Sequence, residues 1–146
     1  MASVMVVDDH DDTVLLYCRI LAAAGFEVHG TASANEALNL ALEQHPDLVV
    51  LDLAMPEMDG HELARLLRSY RATRDIRLVA VSAHAFDFES VLLPPGGWDA
   101  CLHKPCDPVD LVSIVRLVLA AGPGQRTMSG PVVIAPTGPH ANGAHD

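Results

Sequence analysis

Residues 48–60 read LVVLDLAMPEMDG. Four apolar residues, two of them β-branched, end without transition at a carboxylate, Asp52. The chain then turns through Pro56 and Gly60 into residues 61–70, where Leu63, Leu66, Leu67 and Tyr70 share one helical face. An uninterrupted apolar run of this length fits a strand that is dry on both faces, because a strand with one wet face alternates. The same device recurs along the chain. Residues 3–7 (SVMVV) run into Asp8 and Asp9, residues 76–81 into Ser82, and residues 100–102 lead to Lys104 and Pro105.

Helical signals fill the intervals. Residues 13–24 place Val14, Tyr17, Cys18 and Leu21 at helical spacing before a stop at Gly25. Residues 26–30 form a weak second strand. Ser33-Ala34-Asn35-Glu36 fits a capping box that opens a helix to Gln44, ended by Pro46. A helix over 86–93 is cut short by Pro94 and Pro95, which lack the amide donor and clash with the preceding turn. Asp107 and Pro108, a cap followed by proline at the first helical position, start a last helix to about residue 120. Five dry strands alternating with five helices predict an α/β, doubly wound parallel sheet with helices on both faces. Right-handed crossovers favour the flavodoxin-like order 2-1-3-4-5, in which loops at the carboxyl ends of the strands build the site.

The chain has 146 residues, 15.5 kDa, 9 Lys+Arg against 19 Asp+Glu, and a net charge of −10. So acidic a domain, only 4% aromatic, is a poor partner for nucleic acid: it offers neither a basic face nor a stacking platform. The N-terminus lacks the basic stretch of a signal peptide, and no apolar run is long enough to span a membrane. Cys18, Cys101 and Cys106 are odd in number and lack C-x-x-C spacing, so they read as reduced thiols in a cytoplasmic protein. Residues 122–146 hold nine Gly or Pro in 25. We therefore expect a folded domain over 1–121 and a flexible tail over 122–146. Within the tail, Val132-Val133-Ile134 admits a docking motif but reads first as a lone apolar triplet.

The polar residues that follow the strands meet at one sheet edge. Asp8, Asp9 and Asp52 repel, at about 4 kcal/mol for each pair 4 Å apart with an effective dielectric near 20. Lys104 supplies one offsetting charge and a hard divalent ion such as Mg²⁺ would supply two more. That set suits phosphoryl transfer. Asp52 is the candidate nucleophile, Lys104 and Mg²⁺ neutralise the transferring group, and the Ser82 hydroxyl donates to it. Taken singly, an aspartate pair after a strand can simply cap a helix. Asp11 and Asp12 are read as solvated or capping residues, and most of the eight scattered histidines as surface residues.

The strings V-V-D-D at 6–9, D-L-A-M-P-E-M-D-G at 52–60, V-S-A at 81–83 and K-P at 104–105 resemble the receiver domain of two-component response regulators. The likeness covers residues 3 to about 120 and implies a phosphoacceptor aspartate at Asp52. It also implies Mg²⁺ held by Asp8, Asp9, Asp52 and the Ala54 carbonyl, a switch residue at Ser82 and a phosphoryl-stabilising lysine at Lys104, often with a cis bond to Pro105. Met55, Ala83, His84 and Pro105 would form the pocket rim. The family usually carries Tyr or Phe three residues before the lysine, where this chain has Cys101; Trp98, three residues further upstream, reads as a packed loop residue or a participant in the switch. The resemblance implies a stand-alone regulator that is phosphorylated by a histidine kinase or histidine phosphotransfer protein. It would signal to an unknown output protein or act as a phosphate relay or sink, and it would not turn over substrate. The alternatives are a degenerate receiver used only as a binding module and a Mg²⁺-dependent phosphatase with an aspartyl nucleophile. The phosphatase would need a second acid where Ala54 stands.

Overall fold

In the computed structural model the described residues are 1–56, 58, 60–83, 98–121 and, for the backbone alone, 132–134. The elements are β1 (Ser3–Val7), α1 (Asp11–Ala23), β2 (Glu27–Thr31), α2 (Ala34–Gln44), β3 (Leu48–Asp52), α3 (Gly60–Ser69), β4 (Arg77–Ser82), β5 (Ala100–His103), α4 (Pro108–Ala121) and β6 (Val132–Ile134). All strand pairs are parallel, in the order β2-β1-β3-β4-β5-β6. The first five strands take the predicted 2-1-3-4-5 order. The helix expected over 86–93 and the residue His84 lie outside the described residues.

The continuous apolar runs are explained by two dry layers. Met5, Val7, Val49 and Leu51 point to one face, where α2 and α3 add Ala37, Ala41, Leu63 and Leu67. Val4, Val6, Leu48 and Val50 point to the other, where α1 and α4 add Tyr17, Leu21, Leu111, Ile114 and Val115. Every residue of β3 is buried. Each fully buried Val or Leu contributes roughly 1.5–3 kcal/mol, so the central strands hold the carboxylates at their ends against electrostatic cost. By contrast β2 is an edge strand with three exposed residues of five, which is why its sequence signal is weak.

Helix ends follow local chemistry. Gly25 takes φ +101° just after α1, a conformation that a side chain would disfavour. Ser33 caps α2 by accepting the Glu36 N–H at 3.2 Å. The Glu36 carboxylate accepts from the Thr31 hydroxyl, and that hydroxyl in turn accepts the Ser33 N–H at 3.2 Å. The capping box is thus bridged through the last residue of β2. Asp107 caps α4 through the Val109 N–H at 3.0 Å.

The triplet Val132–Ile134 differs from the loose-tail reading. It adds a sixth strand, with Ala100, Cys101 and Leu102 in register with Val132, Val133 and Ile134. The edge of β5 presents unpaired N–H and C=O groups, and a β-branched triplet satisfies them. Three residues are too few for periodicity to reveal a strand whose partner lies some thirty positions upstream. The other tail residues, 122–131 and 135–146, lie outside the described residues.

Candidate functional site

Because β1, β3, β4 and β5 are parallel and adjacent, their carboxyl ends deliver Asp8, Asp52, Ser82 and Lys104 to one edge. Asp8 follows β1, and its N–H continues the ladder to the Thr31 carbonyl at 3.3 Å. Ser82 is the last residue of β4 rather than the first beyond it, and it is fully buried. The Lys104 N–H donates to the Ser82 carbonyl at 2.7 Å, tying the lysine loop to β4. The Lys104–Pro105 bond is cis.

Lys104 organises the charges. Its Nζ lies 2.7 Å from Asp8 Oδ2 and 3.6 Å from Asp52 Oδ2. Asp8 and Asp52 are 2% and 5% exposed, so these interactions are little screened. Burial draws the ammonium toward the neutral form, but its hydrogen bond to Asp8 and the charges of Asp52 and Asp8 outweigh this and raise its pKa. For Asp52 the balance runs the other way. Burial pushes its carboxyl up from 3.8 to about 6, helped by Asp8 and Asp9, while Lys104 and the Ala54 N–H act to lower it. The Ala54 N–H donates to Asp52 Oδ1 at 3.1 Å, leaving Oδ2 on the lysine side.

The loop after β3 is held close by Gly60. Its N–H donates to the Leu53 carbonyl at 2.9 Å. A Cβ there would lie 2.6 Å from the Asp52 carbonyl oxygen and 2.8 Å from the Leu53 Cα. Glycine is therefore required by backbone approach. It lets α3 start directly behind the aspartate.

One ligand-capable atom each from Asp8, Asp9, His10 and Asp52 fall within 4.8 Å of one another. Asp9 Oδ1 is buried and receives no hydrogen bond among the described residues. A buried, unsatisfied carboxylate oxygen facing two further carboxylates fits a hard divalent cation. His10, read from sequence as a surface residue, is 71% exposed, yet its Nδ1 lies 3.1 Å from Asp9 Oδ1 and 3.3 Å from Asp8 Oδ1. Its position directly after the aspartate pair was the signal available in the sequence. Asp11 and Asp12 occupy the first turn of α1 and are exposed.

Of the expected rim, Ala83 and Pro105 are exposed, while Met55 is 7% exposed and belongs to the core below the site. Behind Lys104 an open hollow of about 420 Å³ lies between Thr13, Tyr17, Ala83, Lys104, Pro105 and Cys106. The Tyr17 hydroxyl and Cys106 Sγ are 3.1 Å apart in its wall, a pair separated by 89 positions that no sequence spacing reveals. Cys101 is fully buried and burial pushes its thiol up to about 12. Trp98 is 3% exposed, shares the core layer of Cys101, and meets the His61 ring edge-on at 5.9 Å and 82°. The following residue, Asp99, accepts the Leu78 N–H at 2.8 Å and pairs with Arg68 at 3.3 Å. That buried pair ties α3 to the starts of β4 and β5.

The comparisons with known proteins agree with this geometry. The response regulator receiver domain family matches residues 4–116. The polar-differentiation response regulator DivK of Brucella ovis is 33% identical over 117 residues, covering 80% of this chain and 95% of that protein. The chemotaxis response regulator CheY4 of Vibrio cholerae superposes with a TM-score of 0.75 at 26% identity, covering 81% of this chain and 98% of its own. A response regulator from Desulfuromonas acetoxidans superposes with a TM-score of 0.73 at 26% identity, covering 82% and 98%. Among the described residues no helix is long and apolar enough to cross a membrane. A sheet in 2-1-3-4-5 order with an aspartate-lysine pocket at its carboxyl edge, together with a family match across nearly the whole folded part, places this chain in the response regulator receiver domain family, as a regulator of CheY and DivK type in two-component signalling.

Proposed function

We propose that this chain accepts a phosphoryl group from a phosphohistidine onto Asp52 and passes the signal on by protein contact or phosphate relay. The observation that carries the reading is the bridging position of Lys104 between Asp8 and Asp52, beside the unsatisfied Asp9 oxygen. Asp52 Oδ2 attacks phosphorus. The P–N bond to the donor imidazole breaks, its electron pair returns to the ring nitrogen, and a P–O bond to Asp52 forms. Mg²⁺, held by Asp8, Asp9, Asp52 and the Ala54 carbonyl, would supply charge neutralisation at the phosphoryl oxygens.

This chain's own residues do the rest. The Ala54 N–H keeps Oδ1 occupied and so orients Oδ2. Lys104, already charged and within 3.6 Å, follows the negative charge as it moves from the carboxylate to the phosphoryl oxygens. The buried Ser82 hydroxyl turns to donate to one of those oxygens, which makes it the residue that senses phosphorylation. Cys101 replaces the aromatic half of the usual switch, and Trp98, packed in the same layer, is the nearest large ring to it along the chain. Ala54 offers no side-chain acid to protonate a leaving group, which supports an acceptor rather than a phosphatase. The partners are a histidine kinase or histidine phosphotransfer protein and an output protein, in the cytoplasm.

The test is incubation of the full chain with Mg²⁺ and a small phosphodonor, read by intact mass. One phosphate is expected on the wild type and none on Asp52→Asn. Persistent labelling of that variant would exclude Asp52 as the acceptor.

A further inference from the structure

We propose that His10 supplies a nitrogen ligand to the acidic pocket and makes it prefer a borderline first-row transition ion, of the Co²⁺ or Zn²⁺ kind, over Mg²⁺. The proposal rests on the cation-binding reading of the pocket given above, and adds to it the class of ion.

The imidazole is placed for this role, its Nδ1 held at the pocket by a hydrogen bond with Asp8 Oδ1. His10 is the N-cap residue of α1, with extended backbone (φ −99°, ψ 114°), and its side chain makes no capping hydrogen bond. Its N–H donates to Asp8 Oδ1 at 3.0 Å, which fixes the residue against the pocket. Nδ1 then faces inward, 3.1 Å from the unsatisfied Asp9 Oδ1 and 3.3 Å from Asp8 Oδ1. Those separations are close to the edge of a coordination octahedron, since ligands about 2.1 Å from an ion sit about 3 Å from their neighbours. The rest of the ring is exposed, so it can adjust to an ion without repacking the core.

Donor chemistry sets the preference. Mg²⁺ takes oxygen ligands, keeps several waters and gains little from an imidazole. Co²⁺ and Zn²⁺ lie higher in the affinity order of divalent ions and accept imidazole readily. An all-oxygen pocket leaves that difference partly unused; a ring nitrogen beside three carboxylates exploits it.

The test uses the full chain, freed of metal by chelation, in titrations with Co²⁺ and with Mg²⁺ followed by calorimetry at one fixed pH. Proton NMR of the Co²⁺ form records hyperfine-shifted imidazole resonances. His10→Ala is expected to weaken Co²⁺ at least about tenfold and Mg²⁺ less than about threefold, and to remove one shifted imidazole. Asp9→Asn is expected to weaken both ions, showing that the ring and the carboxylates share one site. Trp98 fluorescence checks that each variant is folded. If both ions bind the wild type and His10→Ala changes them equally or not at all, the proposal is overturned while the Mg²⁺ pocket stands. If Co²⁺ still shifts a His10 resonance with unchanged affinity in Asp9→Asn, the ring binds outside the pocket and the proposal fails. If neither ion binds the wild type, the cation-binding reading itself falls and takes the proposal with it.

Discussion

Asp52→Asn should stabilise the fold in the absence of divalent ions. The buried Asp52 carboxyl sits at about 6, against 3.8 when free. At roughly 1.4 kcal/mol for each tenfold change, ionising it inside the protein rather than outside costs about 3 kcal/mol at neutral pH. Asparagine removes that charge and keeps an oxygen for the Ala54 N–H. Its amide group faces Lys104 without attracting it, so we expect a net gain of about 1–3 kcal/mol. The pH dependence carries the diagnosis. The folded-state value lies above the unfolded one, so the folded protein holds the extra proton between 3.8 and about 6. Wild-type stability from this group is therefore greatest below that window and falls as pH rises through it. Urea unfolding in EDTA should show the variant ahead at pH 7.5, with the gap closing toward pH 4. Mg²⁺ at a hundredfold excess over its dissociation constant should return about 2.7 kcal/mol to the wild type. A variant no more stable than wild type at pH 7.5, or a gap that does not change with pH, would refute the assignment of a burial penalty to the charged form of Asp52.

Three other outcomes follow from the same geometry. Lys104→Met leaves Asp8 and Asp52 without their cation, and should lower stability by about 2–4 kcal/mol in EDTA, with partial rescue by Mg²⁺; thermal melts with and without the ion read both. Gly60→Ala forces a Cβ against the backbone of Asp52 and Leu53, neither of which can give way cheaply, and should cost more than about 2 kcal/mol by urea titration. Cys101, fully buried with a thiol near 12, should resist an aromatic disulfide reagent at pH 8 until the protein unfolds, whereas Cys18, half-buried, should react first, as peptide mass mapping would show.

Much of this protein is legible in one dimension. A strand dry on both faces cannot alternate, so SVMVV and LVVL announce a covered parallel sheet before any contact is known. Parallel strands also put every carboxyl end on one side, so the residues that terminate the strands had to meet. Asp8, Asp52, Ser82 and Lys104 were identifiable on that ground alone. Local chemistry likewise set the ends of α2 and α4, through Ser33 and Asp107.

Properties that depend on distance and burial were decided only by the tertiary structure. Whether Lys104 neutralises Asp8 or Asp52 more closely depends on where a flexible stem comes to rest, and it favours Asp8 by about 0.9 Å. How far burial raises Asp52 depends on the protein around it. The inward face of His10, the Tyr17–Cys106 pair and the Arg68–Asp99 tie join residues that carry no shared spacing. The tail triplet reads as loose until the open edge of β5 gives it hydrogen-bond partners. Sequence periodicity determined which way the strands run and what stands at their ends, because backbone geometry repeats. Charge balance, proton affinity and edge pairing were left to the fold, because they are sums over neighbours that only folding supplies.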